Sequence, residues 1–188
     1  MKFVYMLNGI GWADVTLQIN NSTIKMSPSY LSEPLIDLID IILLLVDEEN
    51  DNNRDEYVIE WNEEPCIDKW IISRLRNDSI RIKIDVFPNG EAGSGYTKFD
   101  ESCLLMDFVK EIVSTMENLL ISHGLVGYKK TWYAKDFPVC SYLILRQLIN
   151  PSEQIQVQEK ANDIGIDMYI SDLKGEIAIL SKLTNDSI

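Results

Sequence analysis

The chain holds a single histidine and only three cysteines in 188 residues. Cys66, Cys103 and Cys140 lie far apart, form no Cys-x-x-Cys pair and are odd in number. That argues against a disulfide framework and for reduced thiols in a cytosol. With His123 standing alone, no closed zinc site can be built from local spacings. No Cys-His clustering occurs and no glycine elbow surrounds a serine, so nucleophilic triads have little support. Long apolar runs are missing as well. The most apolar stretch, Leu35 to Val46, contains Asp37 and Asp40 and falls short of the about 20 residues that span a membrane. Lys2 precedes an apolar Phe3–Leu7, but Asn8 and Gly9 break the run and no small-x-small cleavage site follows. The expectation is a soluble, cytoplasmic chain without a membrane role.

Cations are scarce too: 17 Lys and Arg stand against 30 Asp and Glu. Thirteen of the acids fall between Glu33 and Asp68, where Arg54 is the one cation, so this stretch carries −12 of a net −13. A local field of one sign attracts cationic partners and repels nucleic acid and anionic lipid. The Gly127–Lys135 segment, with three lysines and three aromatics, has the mixture that stacks on single-stranded nucleic acid. The remainder of the molecule would repel that ligand, so the segment reads as a linker with aromatics packed onto the sheet.

What is present is an ordinary globular composition, 46% apolar and 25% charged, of a length that suits one domain over residues 1–188. Residues 3–7, 12–19 and 23–26 read as strands, the second alternating Ala13, Val15, Leu17, Ile19. Ser32 offers an N-cap, and Glu33 and Pro34 open a helix over 33–47 that is apolar almost all round. Tyr57, Ile59 and Trp61 alternate with polar neighbours. Residues 69–76 and 79–86 flank Asn77-Asp78, read as a two-residue hairpin turn. That turn pairs Leu75 with Ile80, Ser73 with Ile82 and Ile71 with Ile84 on the buried face, leaving Arg74, Arg81 and Lys83 as a basic ladder outside. Residues 88–99 read as a flexible loop, Asp100–Ser122 as a second helix stopped by Gly124, and Pro138–Ile149 as a third. In the last forty residues Ile155 and Val157 suit a strand, while Leu173, Ile177 and Leu180 suit a short helix. The fold class is α+β: an antiparallel sheet with a three-stranded meander over about 56–87, and two or three helices on one face.

Two acidic groups compete as sites. The loop carrying Glu48, Glu49, Asp51 and Asp55 offers alternating carboxylates. A helix-loop-helix calcium site needs glycine at position six and glutamate at twelve, where this chain has Asn52 and Val58. The loop therefore reads as solvated or partner-binding, and no metal or cofactor is expected. Glu60, Glu63, Glu64 and Asp68 cluster beside Trp61 and Trp70, and paired carboxylates next to tryptophan suit glycoside chemistry. Gly90, Gly93 and Gly95 lack the spacing of a phosphate loop. His123 sits where a cation favours a helix C-terminus.

The run Trp61-x-x-Glu64-Pro65, followed by Trp70, Arg74 and the alternating Ile80–Ile84 ending at Phe87, resembles a pattern in uncharacterised small bacterial proteins. Gly11-Trp12-Ala13, Ser29-Tyr30-Leu31 and Asp136-Phe137-Pro138 fit the same pattern over residues 11–150. In size, acidity and α+β character the chain is similar to the immunity partners of bacterial polymorphic toxins, which implies a basic toxin domain as partner. No active-site residue carries over from either resemblance. The leading expectation is a non-enzymatic binding protein. Its acidic face would be built from Glu48, Glu49, Asp51, Asp55, Glu60, Glu63 and Glu64 with Trp61 and Trp70. The alternatives are a small carboxylate-dependent hydrolase or transferase, and a self-associating structural protein that forms a homodimer.

Overall fold

The computed structural model describes residues 1–47, 56–91, 93–133, 135–161 and 167–185. Three antiparallel sheets and four helices follow one another as an α+β fold. β1 (Lys2–Leu7), β2 (Ala13–Ile19) and β3 (Ser22–Met26) form a meander. Its inner face is the alternation in the sequence: Phe3 and Tyr5 of β1, Ala13, Val15, Leu17 and Ile19 of β2, and Ile24 and Met26 of β3 are all buried. α1 (Pro34–Val46) starts at Pro34, whose missing amide costs nothing there. Ser32 does not cap it. Its hydroxyl accepts the Asn62 amide at 2.9 Å instead, and the N-cap position falls to Glu33 without a side-chain bond.

The second sheet has four strands where the sequence reading has three: β4 (Glu56–Asn62), β5 (Ile67–Arg74), β6 (Ser79–Glu91) and β7 (Tyr96–Leu104). The segment read as a flexible loop lengthens β6 and returns as β7, which takes the residues assigned to the start of the second helix. Phe99 and Ile84 are register partners there, both buried, so packing against β6 outweighs the weak strand propensity of a Gly-rich stretch.

The β5–β6 register is one residue away from the two-residue turn. Trp70 faces Ile84, Ile72 faces Ile82 and Arg74 faces Ile80. The Leu75 amide donates to the Ser79 carbonyl at 2.8 Å, leaving Arg76, Asn77 and Asp78 as a three-residue loop, with positive φ at Asn77 and Asp78. A one-residue slip moves a whole strand to its other face. On β6, Ile80, Ile82 and Ile84 are buried as the alternation requires. On β5 the buried residues are Asp68, Trp70 and Ile72, while Leu75 is 40% exposed. The outer ladder is compensated within the fold. Arg81 pairs with Asp100 and Lys83 with Asp85, while Arg74 donates to the Leu45 carbonyl at the end of α1.

β7 runs directly into α2 (Leu105–Thr131), and the Leu105 amide donates to the Asp78 carbonyl at 2.8 Å. Gly124 (φ 60°, ψ 177°) does not end α2 but breaks it into two segments. α3 (Val139–Ile149), the β8–β9 hairpin (Val157–Ala161 and Asp167–Ser171) and α4 (Leu173–Asn185) complete the chain. Phe108, Val109, Ile112, Val113 and Met116 carry α2 into the core shared by both sheets and α1.

Candidate acidic face and its buried carboxyl pair

α1 and β4 meet along an open groove of about 430 Å³. Asp37, Asp40 and Leu44 recur at helical spacing on the one stripe of α1 that the core leaves uncovered. Glu56, Tyr57 and Val58 line the opposite wall from β4, and among the described residues no Lys, Arg or His lines the groove. Val58 is 48% and Leu44 41% exposed, so carboxylates here surround accessible apolar surface. Burial, then the charges of Glu33 and Asp40, raise the Asp37 carboxyl above its ordinary range. An anion crowded by anions is the electrostatic mark of a surface that favours a cation.

Among the described residues β4 is the outermost strand of its sheet, and its hydrogen-bond phase can be read from both ends. The Glu63 amide donates to Cys66 across the β4–β5 turn at 2.8 Å. Tyr57, Ile59 and Trp61 therefore bond toward β5. At Asn62 the backbone points the other way: its carbonyl accepts the Ser29 amide at 2.7 Å and its amide donates to Ser32. By the alternation of an antiparallel ladder, Glu56, Val58 and Glu60 direct their amides and carbonyls outward.

Behind this edge lies a second arrangement. Trp61 and Trp70 are fully buried, with ring centroids 4.4 Å apart, and Trp61 meets Tyr5 edge-on at 6.5 Å. Both tryptophans belong to the core and present no surface to a partner. Asp68, opposite Trp61 in the ladder, is fully buried as well. Burial first, then the neighbouring Glu63 carboxylate, raises its carboxyl to about 7, with Lys98 opposing. Lys98 is the extra residue of the β6–β7 bulge between Ile84 and Asp85. Glu63 accepts the Ser27 amide and fastens the end of β3 to this turn.

The acidic cluster read from the sequence therefore divides. Glu63 and Asp68 come together. Glu60 stands on the outer face 3.7 Å from Lys69, and Glu64 is exposed in the turn. A carboxyl near 7 has the proton affinity of a general acid, but Asp68 has no exposed surface through which a substrate atom could reach it. Glu48, Glu49, Asp51 and Asp55, with the calcium-like spacing, lie outside the described residues. Among the described residues no group of three or more His, Cys, Asp or Glu is arranged to hold a metal, and no helix is long and apolar enough to cross a membrane.

Sequence reasoning counted Asp37, Asp40 and Glu56 in the acidic stretch but gave none of them, nor Leu44 or Val58, a place in the site. Two acids at i and i+3 in a helix otherwise apolar all round were the available signal for an uncovered stripe. That β4 is an edge strand had no local signal. Comparison with known proteins finds no matching family model, no significantly similar curated protein and no significantly similar solved structure.

Proposed function

We propose that this chain is a non-enzymatic binding protein that holds a basic protein partner against the acidic face between α1 and β4. An intracellular toxin domain kept inactive is the kind of partner in view. The observation that carries the reading is the groove itself. Asp37, Asp40 and Glu56 line it together with exposed Leu44 and Val58, and among the described residues no cation lines the walls. Carboxylates in that setting steer a cationic surface during approach, and the apolar residues between them supply contact area once it arrives. The sequence adds Glu48, Glu49, Asp51 and Asp55 to the chain that joins the two walls.

The test begins with capture from the native host at low and at high salt, followed by purification of the captured protein. The expected partner is basic and is retained at low salt. Reversing Asp37, Asp40 and Glu56 to lysine should slow its association by roughly tenfold or more at low salt and flatten the salt dependence, with the melting temperature held. A partner that associates with the reversed variant at the unaltered rate and salt dependence overturns the proposal.

A further inference from the structure

We infer that the partner joins as a strand: an extended segment hydrogen-bonds along the free edge of β4 and becomes the fifth strand of the β4–β7 sheet. The inference rests on the reading of the acidic face and adds how that face is used. The amides and carbonyls of Val58 and Glu60 point away from β5, and no described residue bonds to them. Unpaired edge groups are a template for another chain. The groove beside β4 leaves room for one.

The edge also states which strand fits. Glu56, Val58 and Glu60 alternate on one face of β4, so the two carboxylates stand about 13 Å apart with an apolar residue between them. Directly opposed side chains on neighbouring strands interact most strongly when their charges are opposite. The complementary segment carries a cation, an apolar residue and a second cation at alternate positions. Glu60 already leans on Lys69 at 3.7 Å, with both side chains well exposed, and such a long surface pair yields readily to a new cation. A second copy of this chain is the wrong occupant. Pairing β4 with β4 would set Glu56 and Glu60 of one copy against those of the other, with Asp37 and Asp40 of both close by.

The probe is a fluorescein-labelled peptide, Thr-Lys-Thr-Val-Thr-Lys-Thr, compared with the same peptide N-methylated at alternate residues. Methylation keeps charge and side chains but removes strand donors. The unmethylated peptide should bind at least tenfold more tightly, and bound peptide should protect the Val58 and Glu60 amides from hydrogen exchange. Val58→Pro removes an outward amide and spares the ladder to β5, a substitution that edge strands tolerate. It should cost the same tenfold while Tyr57 and Ile59 stay protected. Equal binding of the two peptides, with charge reversal at Asp40 and Glu56 still weakening both, overturns strand addition and leaves the acidic face standing. Binding indifferent to charge reversal as well removes both. A dimer of the protein alone that Val58→Pro converts to monomer assigns the edge to self-association and overturns the inference.

Discussion

Two carboxyl groups in this protein are pushed in opposite directions, and each sets its own dependence on pH. Asp68 is fully buried and its carboxyl is raised from 3.8 to about 7. The native state therefore holds a proton that the unfolded chain has released between those values, and stability falls as pH rises through that window, by at most about 1.4 kcal/mol per unit. Asp68→Asn should remove most of that slope, so the variant gains on the natural protein between pH 4 and 7 in urea unfolding. Equal slopes would mean that Asp68 ionises freely in the fold. Glu153 is the reverse case. Arg146 holds it at 2.6 Å and Lys182 at 2.8 Å, and the Arg146 hydrogen bond is the main cause of its fall from 4.5 to about 2. Its contribution is present above 4.5 and is lost as pH falls toward 2. Because Arg146 also pairs with Glu117 of α2, Glu153 helps to fasten α3 and α4 to the rest of the molecule. Glu153→Gln should cost about 1–2 kcal/mol at neutral pH, and that cost should shrink on acidification.

At the scale of elements, the β5–β6 register is where the structure can be tested most sharply. Ile72 is fully buried and Leu75 is 40% exposed. Ile72→Asp should prevent folding, because it leaves an unpaired charge in the core. Leu75→Asp should change stability by no more than about 0.5 kcal/mol. The opposite result would restore the two-residue turn. The break in α2 gives a second test. Gly124 adopts φ 60° and ψ 177°, a conformation essentially confined to glycine, so Gly124→Ala should cost about 1–3 kcal/mol although nothing crowds its Cβ. These cases also mark how far the sequence could be read. Alternation on β6 and the periodic stripe of α2 are local patterns driven by burial, and both appear where expected. The β5 face depended on whether the turn holds two residues or three, which Asn77-Asp78 does not decide. β7 depended on a partner strand supplying the pairing that its own polar residues and the glycines ahead of it do not favour. The edge position of β4 was beyond reach for the same reason, since it is a property of the whole sheet.

For the whole molecule, charge governs behaviour. Of thirty acids and 17 bases, the excess falls almost wholly in the stretch from Glu33 to Asp68, and exposed charge of that kind acts on approach more than on stability. Exposed charges are screened over about 10 Å at 0.1 M salt. Raising salt should therefore lower the association rate of a basic partner severalfold while dissociation changes little. A dissociation rate that carries most of the salt effect would place the charges inside the contact instead of around it. Asp37 adds a proton linkage. Its raised carboxyl should drop toward the ordinary range when a cation docks, so binding at acidic pH should release protons. Calorimetry in buffers of different ionisation enthalpy measures that release.

The hairpin loop at Arg76–Asp78 has a bearing on engineering. Polar, exposed and at a strand reversal, it is the kind of place usually chosen for an inserted tag, a reporter or a new pair of termini. Here the Asp78 carbonyl receives the first amide of α2, and β7 passes into that helix with no linker to absorb a displacement. The loop serves as a bearing for the longest helix, so cutting or lengthening it would release the helix start along with the turn.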